Sequence, residues 1–213
     1  MFRSKQRPVV YPQAEHARLS GVIAAAWGND DVARPPLPFD SFVRGVAQHD
    51  RGYGELDDDP LGETAPERWL EIARRSFEAQ DDDPVVDLVV AMHVRRLVSH
   101  VTSPARAEAL VEFDAEISRR IEAAGVDAAA AGAADPVTDL CDRLAFGFCF
   151  EEADSGTVER LGMSYAVRED GSATLAPWPL AVPSLSETVT GYRSEGYPDR
   201  LEPVERVFRL APA

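Results

Sequence analysis

The stretch from Val85 to His100 constrains the fold most. Valines, leucines, Ala91 and Met92 leave almost no side of a helix there polar. A helix that is apolar all round has to be enclosed by other elements. It is therefore expected as a central buried helix, started by Asp81-Asp82-Asp83-Pro84, with amphipathic helices packed about it. Four such stretches are present. Residues 12–27 run from Pro12 to Gly28 with Leu19, Val22, Ile23 and Ala26 at helical spacing. A second helix, capped by Asp40 or Ser41, carries Phe42, Val43 and Val46 and ends at Arg51-Gly52. A third carries Trp69, Ile72, Ala73 and Phe77, and residues 104–124 carry Leu110, Phe113, Ile117 and Ile121. Residues 125–134 form a low-complexity connection, helical or flexible. Asp135 as cap and Pro136 as first helical residue then start a last helix, running to about Glu151.

After residue 155 the pattern changes. Met163–Val167 and Ala173–Leu175 flank Asp170-Gly171, a hairpin-turn dipeptide, and Val204, Val207, Phe208 and Leu210 suggest a late strand. The expected fold is mainly α: a helical body over residues 1–155 and a small β-rich appendage over 156–213, packed on the same domain.

The informative residues are polar groups on apolar faces. His16 aligns with Leu19, Ile23 and Trp27. His49 and Asp50 extend the face of Phe42 and Val46. His93 lies with Val86, Val89, Val90 and Leu97, and Asp142 lies with Phe146 and Cys149. A buried unpaired carboxylate costs several kcal/mol or more, so such groups require histidine partners or a metal ion. Imidazole plus carboxylate is a ligand set for Mn, Fe, Ni or Zn, as one or two ions. The plainer alternative satisfies each group singly, by a backbone atom or a nearby arginine. Cys141 and Cys149, about 12 Å apart along one helix, are expected as reduced core thiols.

The order His16, His49-Asp50, Asp142 resembles the H…HD…D signature of the HD-domain superfamily of metal-dependent phosphohydrolases. The words Gln13-Ala14-Glu15-His16-Ala17, Trp27-Gly28, His49-Asp50-Arg51-Gly52-Tyr53, Met92-His93 and Leu140-Cys141-Asp142-Arg143-Leu144 are similar to those of an uncharacterised bacterial family of HD-like proteins. The resemblance implies an HD-like helical bundle with His16, His49, Asp50 and Asp142 as metal ligands. It places His93 where some members have a further histidine that ligates a second metal or binds substrate phosphate. His100, roughly 10 Å along the same helix from His93, is expected at the surface or rim. Asp139, four before Arg143, is expected as a surface ion pair. Asp57-Asp58-Asp59 with Gly62 lacks the ligands of a calcium loop at Leu61 and Arg68.

A site of this kind keeps a position for water and lowers its pKa, which supports hydrolysis of a small phosphorylated molecule by a metal-bound hydroxide. Asp50 and His93 are then the catalytic candidates, Asp50 bridging two ions if a second is bound and His93 stabilising phosphoryl charge. Gln13, Arg51 and Arg119 are candidates for binding the substrate. Two alternatives remain open: a di-iron oxygenase at the same site, and a non-catalytic metal-binding or interaction protein. A net charge of −15 argues against nucleic acid as a partner. The absence of a long apolar run argues against a membrane span, so a cytoplasmic location and a small anionic partner are expected. The oligomeric state is left open.

Overall fold

The computed structural model describes residues 2–57, 65–150 and 154–213. These residues form six helices and a seven-stranded mixed sheet: β1 (Phe2–Arg3), β2 (Val9–Tyr11), α1 (Gln13–Ala25), α2 (Phe39–Ala47), α3 (Pro66–Glu78), α4 (Pro84–Val98), α5 (Arg106–Ala124), α6 (Ala128–Phe150), β3 (Asp154–Val158), β4 (Met163–Val167), β5 (Ser172–Ala176), β6 (Leu185–Arg193) and β7 (Pro203–Pro212). The calcium-loop comparison falls largely on residues 58–64, outside the described residues.

α4 is the buried helix, with Val86, Leu88, Val89, Val90 and Val94 all sealed from solvent. Its start follows from local chemistry. Asp83 Oδ1 accepts the Val85 N–H at 2.9 Å, and Pro84 occupies the first turn, where its missing N–H is not needed. α2, α3, α5 and α6 pack around α4. α2 and α4 approach closely because residue 45 is glycine: a Cβ there would lie 2.7 Å from Val89 Cβ.

The expectation of a mainly α, HD-like bundle with a small β appendage is overturned by the sheet. Its order is β1-β2-β6-β7-β5-β4-β3, so it takes two strands from the N-terminus and five from the last sixty residues. All neighbours are antiparallel except β5 and β7. Its apolar face is continuous with the helical core: Val189, Phe208, Leu210 and Leu175 pack in one cluster with Leu19, Ile23, Leu144 and Phe148. The β4–β5 hairpin closes at Asp170-Gly171, where Gly171 takes φ 84° and Asp170 Oδ1 accepts the Ser172 N–H at 2.9 Å. The physical reason for the correction is long-range pairing. Val10 sits opposite Tyr192, a juxtaposition with no local signal.

α6 also differs from expectation. It begins at Ala128 and runs through Pro136, with Asp135 inside it and not at its cap. Proline cannot donate to the carbonyl four residues back, that of Gly132. The guanidinium of Arg160, just beyond β3, donates to that carbonyl instead.

Candidate metal centre

His16 lies one turn into α1, whose first N–H, that of Gln13, is accepted by the Asp57 carboxylate at 3.0 Å. His49 and Asp50 lie not on a helix but in the turn after α2. There Val46, in the last turn of α2, offers its carbonyl to His49 Nδ1 at 2.7 Å. His93 is in the middle of α4 and Asp142 in the middle of α6. Four elements thus converge, and all three histidines are buried, with Asp50 nearly so.

The two carboxylates bridge the rings. His16 Nδ1 is 3.1 Å from Asp50 Oδ2, and its Nε2 is 3.0 Å from Asp142 Oδ1. His93 Nε2 is 3.0 Å from Asp50 Oδ1. His49 Nε2 stands 3.5 Å from Asp142 Oδ1 and 3.7 Å from Asp50 Oδ2, and it is a buried ring nitrogen without a hydrogen-bond partner. His16, His49 and Asp142 form one three-donor group and His49, Asp50 and His93 another, with the donor atoms of each within 4.8 Å of one another. This donor set fits a divalent cation. Val46 accepts a hydrogen bond from His49 Nδ1, so Nε2 is the nitrogen turned between the two carboxylates, where a cation would be shared by all three groups.

Electrostatics follow the geometry. Burial disfavours charge on His16, but hydrogen bonds to Asp142 and Asp50 outweigh it and push its pKa up to about 10. Burial opposes the charge on Asp50 too, yet His49 beside it and hydrogen bonds from His16 and His93 hold it well below the usual carboxylate range. Asp142 is lowered likewise, against its burial, by His16 and His49. Burial, aided by His49, lowers His93. Cys141 and Cys149 are buried and not joined in a disulfide, and burial beside Asp142 raises the Cys141 thiol, which disfavours its reactive thiolate.

A cavity of about 600 Å³ opens on the cluster. Its floor is His16, Asp50, His93 and Asp142; its walls include Tyr53, Trp69, Leu97, Val98, Val101 and Phe146. Of the expected substrate contacts, Gln13 is there, buried, with its Oε1 lacking a partner. Arg51 and Arg119 are not among the residues lining it. Arg51 donates to Asp87 and to the Ala79 carbonyl, and Arg119 is exposed on α5 and paired with Glu116 at 2.7 Å. The cavity instead has Arg143 and His100 at exposed positions. The sequence marks Arg143 only as the partner of Asp139, which it is, at 3.1 Å. Its place one residue after Asp142 was the available signal. Arg96, three residues after His93 on α4, was missed. It donates to His93 Nδ1 at 2.9 Å.

Residues 2–193 match the family described as a protein of unknown function, DUF3891. The chain belongs to that family. No curated protein and no solved structure matches it. The His/Asp cluster is compatible with a metal site, and the words quoted for the HD resemblance lie within the matched residues, but neither the match nor the fold is evidence of an HD domain. Among the described residues, no helix is long and apolar enough to cross a membrane.

Proposed function

We propose that this member of the family is a metal-dependent hydrolase of a small phosphorylated molecule. His16, His49, Asp50 and Asp142 would hold a divalent transition ion, Mn, Fe, Ni or Zn. The observation that carries this reading is His49 Nε2, buried without a hydrogen-bond partner between the carboxylates of Asp50 and Asp142. Such an ion supplies Lewis acidity and lowers the pKa of water toward neutrality.

The chain's own residues supply the rest. The Val46 carbonyl fixes the ring of His49, and the apolar walls beside the floor lower the local dielectric, which strengthens the charge interactions there. The volume is that of an ordinary small-molecule site. Arg143 and His100 meet the anionic group against a net charge of −15, and Gln13 Oε1 accepts a hydrogen bond from a substrate hydroxyl or amine. The order His16, His49-Asp50, Asp142 resembles that of HD phosphohydrolases, and that resemblance favours phosphate chemistry.

The test is metal analysis of protein purified without oxygen, followed by a panel of small phosphate esters. Stoichiometric metal and turnover are expected, both abolished in His49→Ala and Asp142→Asn. Iron with substrate-dependent oxygen uptake replaces the hydrolase by an oxygenase. Bound metal with no turnover, and a folded Asp50→Ala variant that keeps its cellular function, replace it by a binding protein.

A further inference from the structure

His49 and His93 face the same carboxylates, but their outer nitrogens are held in opposite senses. The Val46 carbonyl can only accept, so His49 Nδ1 carries a proton and Nε2 is the nitrogen turned toward the two carboxylates. The other nitrogen of His93, Nδ1, meets Nη2 of Arg96 at 2.9 Å and stands 3.6 Å from Asp142 Oδ2. A guanidinium has donors and no acceptor, so His93 Nδ1 must accept, and the ring proton sits on Nε2. Nε2 is 3.0 Å from Asp50 Oδ1, which completes a donor–acceptor chain from Arg96 through His93 to Asp50. This reverses the usual arrangement of a ligating histidine, whose outer N–H donates to a carbonyl, carboxylate or water. Nor is Arg96 free to turn away. Two carboxylates of α6 hold it, Asp135 at Nη1 and Asp139 at Nε, the latter at 3.2 Å.

We propose that Arg96 is a positioning residue that locks His93 in the Nε2–H tautomer, so that His93 serves the centre as a hydrogen-bond donor to Asp50 and not as a metal ligand. The group His49, Asp50 and His93 then offers no lone pair at His93 Nε2 for a second ion, and the lone pair of Nδ1 is taken by Arg96. The ligand set closes at His16, His49, Asp50 and Asp142 with a single ion. Asp50 is held through Oδ1, which leaves Oδ2 facing His16 and His49. The count of ligands rests on the metal reading above; the tautomer does not, and is measured without metal.

The experiment is long-range nitrogen–proton NMR on the full chain carrying ¹⁵N-labelled histidine, with His93→Gln identifying the His93 signals. Nδ1 of His93 is expected unprotonated and Nε2 protonated, both in metal-free protein and after one equivalent of Zn(II). A protonated Nδ1 in the metal-free protein, or loss of the Nε2 proton on adding Zn(II), overturns the proposal. Arg96→Met should release the ring to a mixture of tautomers, and Arg96→Lys should largely restore the parent state; an unchanged tautomer in a folded Arg96→Met variant overturns the role of Arg96. Zn(II) affinity gives a second readout. His93→Gln should lower it by no more than about 100-fold, as loss of an outer partner does, with one ion still bound, and a loss as complete as that of His49→Ala overturns the assignment. Failure of the parent to bind Zn(II) overturns the single-ion ligand set along with the metal reading, and the tautomer in metal-free protein still decides the role of Arg96.

Discussion

At the scale of single residues, His16 sets the pH behaviour of the centre. Its ring lies between two carboxylates, and its pKa is raised from an ordinary 6.5 to about 10 against the effect of burial. With the folded value above the unfolded one, the stabilisation of the metal-free protein is complete below about pH 6.5. It is lost as the pH rises through about 10. A cation that takes His16 as a ligand has to displace that proton. Zn(II) affinity is therefore expected to rise by up to about tenfold per pH unit between pH 7 and 9, with close to one proton released per ion. Calorimetry in buffers of different ionisation enthalpy measures that release, and a value near zero would exclude His16 as a ligand. The buried histidines were legible in the sequence because an imidazole on an apolar stripe stands out. The arginines were not. Arg51 adjoins the His-Asp pair and yet turns to Asp87, whereas Arg96 meets His93 while Asp135 and Asp139 of α6, distant in sequence, hold its guanidinium.

At the scale of elements, the centre depends on how closely α1 approaches the end of α2. Gly21 makes that approach possible: a Cβ there would lie 2.5 Å from Ala47 Cβ and 2.9 Å from its Cα. Backbone is involved, so the helices would have to move apart, and His16 and His49, whose rings are 5.0 Å apart, move with them. Gly21→Ala is expected to destabilise the fold by about 1–3 kcal/mol, the usual cost of overpacking, and to weaken Zn(II) binding. Urea denaturation of the metal-free protein and a Zn(II) titration check the two effects. Lost stability with unchanged affinity would show that the helix spacing does not set the site. The helices themselves were largely legible from stripe and cap signals, because those signals are local. The exception is α6, where Pro136 looked like a start. An interior proline leaves one carbonyl without its helical donor, and Arg160, which serves that carbonyl here from twenty-four residues further on, carries no local mark of that role.

At the scale of the whole molecule, the sheet is what the sequence disguised. β6 buries little beyond Val189 and Gly191, and β2 is three residues between prolines, so neither shows a strong alternation. Their pairing joins the two ends of the chain. β6 also reaches the site indirectly. Glu15, beside His16, accepts the Thr190 N–H at 2.8 Å, and Arg18 donates to Glu187 and to the Thr188 carbonyl. Phe148 of α6 packs edge-on against Phe208 of β7 at 5.3 Å. Helices and sheet therefore share one core, and the helices are not expected to survive without the strands. A chain shortened to residues 1–153 should lose its cooperative thermal transition by circular dichroism and its Zn(II) binding together. Within the full chain, Phe208→Ala should cost about 3–5 kcal/mol, as large buried aromatics do, and should lower helical and near-ultraviolet signals in a single transition. At about 100 times its dissociation constant, Zn(II) should return some 2.7 kcal/mol of that loss by binding only the folded state. A shortened chain that still melts cooperatively and binds Zn(II) with the parent affinity would instead make the helical body a domain in its own right.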